Sequence, residues 1–135
     1  MSLRIGVLVI FFILGITTVF AQQKNGKVKS LKVTILSTML ADEGIGEWGF
    51  SALVEVDGRK ILFDTGARPE TVLTNIGELN VDLSDVTDVF ISHNHKDHTG
   101  GLLRLREEMS RKNPTALSVV HAGEGVFYPR DGSRG

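Results

Sequence analysis

His93, His95, Asp97 and His98 fall within one short stretch, SHNHKDHTGG, from Ser92 to Gly101. Neutral imidazoles with a carboxylate are by type the ligands of zinc or a similar divalent ion, and a catalytic ion keeps one position open for water. His93 and His95, two apart at the mouth of a strand, can project toward one ion, while Asp97 and His98, round the following turn, can reach a second. Two ions about 3.5–4 Å apart share a water, lower its pKa toward neutrality and supply hydroxide as nucleophile. The competing reading is a solvated, His-rich turn with no ion. The flanks favour the metal: an apolar run, DVFIS, leads in as a buried strand, and the Thr99-Gly100-Gly101 that follows suits a helix cap at Thr99 and close backbone approach at the glycines.

Those side chains need a frame. Leu31, Val33 and Ile35 alternate as a strand over Leu31–Ser37, and a glycine-rich loop, ADEGIGEWGFS, comes next. SALVEVDGRKILFDTG reads as two strands joined by Asp57 and Gly58, a pair suited to the positive φ angles of a tight hairpin turn. Val72, Leu73, Ile76 and Leu79 then recur at helical spacing, which places a helix from Pro69 to about Glu78 with proline in its first turn. After the histidine cluster, Leu102, Leu105 and Met109 resume a helical stripe, and ALSVVHA closes as a strand. The order is strand, hairpin, helix, strand, cluster, helix, strand.

Composition narrows the function classes. Hydrophobic residues make up 41% of the chain, charged residues 23%, and the formal net charge is -1. That balance argues against a disordered chain and against a nucleic-acid binder, which would show a basic face. The expected partner is a small-molecule substrate. Cysteine is absent, so any metal site uses nitrogen and oxygen donors. At the N-terminus, Arg4, the uncharged apolar run Ile5 to Phe20 and the small residue Ala21 describe a secretory signal peptide over residues 1–21, cleaved after Ala21. The alternative is a retained anchor, for which the run is a little short of the roughly 20 residues a spanning helix needs. The protein is therefore expected to be periplasmic or secreted, with the membrane involved only through this segment. Residues 22–30 form a polar lead-in.

SHNHKDHTGG resembles the His-x-His-x-Asp-His signature of the metallo-β-lactamase fold superfamily, and ILFDTG, Ile61 to Gly66, resembles its upstream Asp-Thr-Gly strand end. The resemblance covers roughly Leu31 to His121, and GEWGFSALVEVDGRKILFDTG further resembles the branch of dihydropterin and aminobenzene-phosphate synthases. It implies an α/β fold, the four-layer αββα sandwich, of which residues 31–135 supply the N-terminal αβ half. It implies that His93 and His95 bind one metal and Asp97 and His98 the other, with zinc favoured and iron or manganese possible. Asp97 would also orient the water, the catalytic role. Asp64 would hold the ligand loop by hydrogen bonds without touching metal, unless it serves only as a turn former in Asp-Thr-Gly. Trp48, the sole tryptophan, is a substrate platform or, more commonly for a large aromatic, simple packing.

The family pattern also has a downstream histidine, a bridging aspartate and a last histidine, on a second half of the sandwich. Here the only later histidine is His121, expected to end a strand; as a replacement ligand it would need a carboxylate such as Glu124 or Asp131 beside it. The expected function is metal-dependent hydrolysis, in a chain that reads as the first half of a domain and is prone to self-association. The other readings are a synthase of the pterin branch, a non-heme iron oxidoreductase and an inactive gene fragment. His95, where iron-binding relatives use glutamate, leans toward zinc.

Overall fold

The computed structural model describes residues 26–128. The leader at residues 1–21, its cleavage site after Ala21, and Asp131 lie outside the described residues. Five strands form one sheet in sequence order: β1 (Leu31–Ser37), β2 (Ser51–Val56), β3 (Arg59–Phe63), β4 (Asp88–Ile91) and β5 (Val119–Ala122). The first three pair antiparallel. Asp57 and Gly58 turn β2 into β3 with φ of 50° and 84°, the two positive angles that a two-residue hairpin with the sheet's twist requires.

The pairing then changes direction, with β3 parallel to β4 and β4 parallel to β5. Parallel neighbours need crossovers, and helices supply them. Between β3 and β4 runs α1 (Thr71–Glu78); between β4 and β5 run a single turn, α2 (Lys96–Thr99), and the longer α3 (Leu102–Lys112). Alternation sends Leu36, Leu53, Leu62, Val89 and Ile91 to the face that these helices cover, where they meet Val72 and Ile76 of α1 and Leu105 and Met109 of α3. On the other face Leu31, Val33 and Ile35 of β1 stay exposed, beside Phe63. Among the described residues no helix is long and apolar enough to cross a membrane.

Two local expectations are corrected. Pro69 lies in the turn before α1, whose N-cap is Glu70, because the chain must first complete the loop that follows β3. Thr99 caps no helix: it is the last residue of α2, its hydroxyl donates back to the His95 carbonyl at 3.1 Å, and α3 starts from Gly101 with no side-chain cap.

Candidate metal centre

The site begins at the carboxyl ends of adjacent parallel strands, the place where open α/β sheets present ligands. Phe63 of β3 is level with Phe90 of β4, and the Asp64 amide donates to the Phe90 carbonyl at 2.8 Å, so the residues leaving the two strands, Asp64 and Ser92, meet. Asp64 turns there with φ 53°, a left-handed conformation that Asp and Asn tolerate better than most residues. Its carboxylate, 1% exposed, accepts three hydrogen bonds. They come from the Ser92 amide at 2.8 Å, the Ser92 hydroxyl at 2.7 Å and His98 Nδ1 at 2.7 Å.

Backbone bonds interlace this corner with the histidine loop. Thr65 donates to the His98 carbonyl at 2.7 Å, Gly100 to that of Gly66 at 2.8 Å, and Phe50 to that of Asp97 at 3.1 Å. The two glycines after Thr99 are demanded by this contact: a Cβ on Gly100 would overlap the Ala67 carbonyl oxygen, and one on Gly101 that of Thr65.

Asp97 and His98 ride on α2, and His93 and His95 on the turn before it. His93 Nε2 lies 3.0 Å from His95 Nδ1, and the His93 and His98 ring centres are 4.1 Å apart. With Nδ1 bound to Asp64, His98 turns its Nε2 toward Asp97, 3.6 Å from Oδ2. Two nitrogens on a tetrahedral zinc at about 2.0–2.1 Å stand about 3.3 Å apart, so both donor pairs have a spacing near that of ligands sharing an ion. In kind and pairwise spacing these residues fit zinc. Among the described residues, however, no group of three histidine, aspartate or glutamate side chains stands ready to hold an ion, so each pair is short of the three protein ligands usual at a catalytic zinc.

His121 lies elsewhere. Its Nε2 meets Asp88 Oδ1 at 2.7 Å and its ring stacks on Phe90, centroids 4.3 Å apart, so its partner is at the end of β4 opposite Ser92. That hydrogen bond, with the Arg59 guanidinium behind it, holds the Asp88 carboxyl below the usual range. Glu124 opens a short 3-10 helix and accepts a 3.3 Å bond from the Tyr128 hydroxyl.

Trp48 corrects the packing expectation, being 73% exposed. Gly49, at its side, fits its backbone against the Ala67 amide and the Asp97 carbonyl, where a Cβ would crowd. Trp48 instead walls a cleft of about 530 Å³ with Arg68, His95, Lys96 and Asp97. Glu47, unnoticed in the sequence, is buried beneath it: its carboxylate takes the amides of Ala67 at 2.8 Å and Arg68 at 3.1 Å and the Ser37 hydroxyl at 2.8 Å. Nothing local distinguishes Glu47 from Asp42 and Glu43 in the same loop, since its partners are 10 to 21 residues away.

Sheet order, crossovers and the Asp64 corner beneath the His-x-His-x-Asp-His turn make this a protein of the metallo-β-lactamase fold. Within that class the chain belongs to the family described as Anti-Pycsar protein Apyc1, whose model matches residues 31–121. The chain is 35% identical over 114 residues to the 7,8-dihydropterin-6-methyl-4-(beta-D-ribofuranosyl)-aminobenzene-5'-phosphate synthase of Methanocaldococcus jannaschii, covering 76% of this chain and 39% of that protein. Anti-Pycsar protein Apyc1 of Saccharibacillus brassicae is 35% identical over 63 residues, 47% of this chain and 25% of its own. The solved structure of Rm3 metallo-beta-lactamase aligns at 30% identity with a TM-score of 0.44, over 66% of this chain and 32% of the other. The chain thus spans about two fifths or less of each of these proteins.

Proposed function

We propose that the chain carries the first ligand set of a metal-dependent hydrolase acting on a small molecule, with no nucleic acid as partner. His93 and His95 hold one ion, Asp97 and His98 the second, and zinc suits the donors best. Bound there, the ions would supply Lewis-acid charge and an acidified water. The chain's own contribution is placement. Asp64 fixes the His98 ring, Asp97 offers a carboxylate oxygen to the cleft, and Arg68 and Lys96 line the same cleft with positive charge, where a developing oxyanion is stabilised. The observation that carries this reading is the convergence of His93 Nε2 on His95 Nδ1 beside a His98 anchored by buried Asp64.

The test is zinc content of the purified 135-residue chain, by native mass spectrometry, with His93→Ala and His98→Ala alongside. Each variant is expected to lose metal, since water does not replace an imidazole at equal affinity. Unchanged metal content in both would sink the assignment. With two donors per ion, turnover of a lactam, a thioester or a phosphodiester by this chain alone is expected to be absent.

A second reading rests on the synthase relative, 35% identical. Incubation with a pterin substrate and product analysis separates a condensation from a hydrolysis.

A further inference from the structure

We propose that Ser92 is a positioning residue whose hydroxyl sets the tautomer of His93, so that the His93 Nε2 lone pair points at the metal position. This rests on the metal-centre reading above and adds a residue to it.

The argument is a count of protons. A carboxylate only accepts, and Asp64 receives the Ser92 amide on Oδ1 at 2.8 Å, then the Ser92 hydroxyl at 2.7 Å and His98 Nδ1 at 2.7 Å on Oδ2. The serine hydroxyl has one proton, and Asp64 takes it. At 2.9 Å from His93 Nδ1 the Ser92 oxygen can then act only as an acceptor, so the hydrogen of that contact belongs to Nδ1. A neutral imidazole protonated on Nδ1 has its lone pair on Nε2, the atom that lies 3.0 Å from His95 Nδ1.

The His98 ring does not disturb this arrangement. Its Nδ1 is 3.5 Å from the Ser92 oxygen but 2.7 Å from Asp64, and the shorter contact takes the proton. One buried carboxylate therefore directs two rings, His98 by direct contact and His93 through the serine. Ser92 is itself held at two points by the same carboxylate, through its amide and its hydroxyl, so the oxygen facing His93 is fixed in place. Alanine at this position would keep the amide contact and leave His93 free to take either tautomer.

Long-range proton–nitrogen correlation NMR reads histidine tautomers directly, and it is to be run on the 135-residue chain without zinc, in wild type, Ser92→Ala and Ser92→Thr. Wild type and Ser92→Thr are expected to show His93 protonated on Nδ1, and Ser92→Ala a mixture. His98 should remain protonated on Nδ1 in all three, a signal that general loss of structure would erase. Zinc titration should find Ser92→Ala weaker by about 10–100-fold and Ser92→Thr within about threefold of wild type. His93 protonated on Nε2 in the wild type overturns the proposal, whether or not either variant folds. So does a Ser92→Ala protein that keeps both the Nδ1 proton and wild-type zinc affinity. A wild type that shows the expected tautomers yet takes up no zinc supports the serine's role and overturns the metal centre.

Discussion

His98 Nδ1 lies 2.7 Å from Asp64 Oδ2, a contact between residues 34 apart in the chain, one just past the end of β3 and the other on α2. It joins the turn that closes β3 to the helix that carries two candidate ligands. Because Asp64 is buried and accepts three hydrogen bonds, its removal takes the shared acceptor from the Ser92 amide, the Ser92 hydroxyl and His98 Nδ1 at once.

Asp64→Asn separates the two roles of this residue. Asparagine takes the left-handed turn conformation as readily as aspartate, so a residue needed only for the turn would tolerate it. The amide oxygen, however, can take the two protons that meet at Oδ2 or the Ser92 amide at Oδ1, but not all three, because the NH2 group sets a donor against a donor at the other position. Zinc affinity measured by calorimetry is expected to fall about 10–100-fold. Wild-type affinity would reduce Asp64 to a turn former.

Gly100→Ala tests the close approach of the histidine loop to Ala67. The added Cβ overlaps the Ala67 carbonyl oxygen, in a segment tied to the histidine loop by the Gly100 amide on the Gly66 carbonyl and the Thr65 amide on that of His98, so relief requires the two segments to part. A loss of about 3 kcal/mol in denaturant unfolding is expected. A variant as stable as wild type would show that the two loops move apart freely.

His121→Ala tests whether that histidine serves Asp88. The histidine hydrogen bond, ahead of the Arg59 charge, lowers the Asp88 pKa, so the stabilisation it brings is present above the ordinary aspartate value of about 3.9 and is lost as pH falls through the lower folded value. Without His121 the Asp88 carboxyl should titrate closer to its ordinary range in a carbon-detected NMR titration, and zinc content should be unchanged. Metal loss in this variant would instead place His121 among the ligands.

Val33→Lys tests the uncovered sheet face. Val33 is 52% exposed between Leu31 and Ile35, also exposed, and apolar strand faces of this kind associate. Sedimentation velocity is expected to show concentration-dependent association of the chain, weakened roughly tenfold by the lysine, the scale of one valine's burial. A monomer at all concentrations would count against an adhesive face.

The ligand types, their spacing and the order of elements were legible in the sequence because each is a local property. Period-two alternation in Leu31–Ser37, an Asp-Gly turn between apolar runs and a helical stripe after Pro69 depend on neighbours a few residues away. The family signature was readable for the same reason, being carried by SHNHKDHTGG and ILFDTG. What the tertiary structure decided are pairings over long separations, where composition and period say nothing. Parallel pairing of β3 with β4 brings Asp64 to Ser92 and His98, and Glu47 finds the Ala67 and Arg68 amides only once the loop folds over the site. The same fold leaves Trp48 exposed on the wall of the cleft rather than packed, which a lone tryptophan in a glycine-rich loop does not reveal. Which sheet face stays bare was likewise unreadable: Leu31, Val33 and Ile35 carry the apolar alternation of β1, yet the two crossovers set α1 and α3 against the face of Leu36, Leu53 and Leu62.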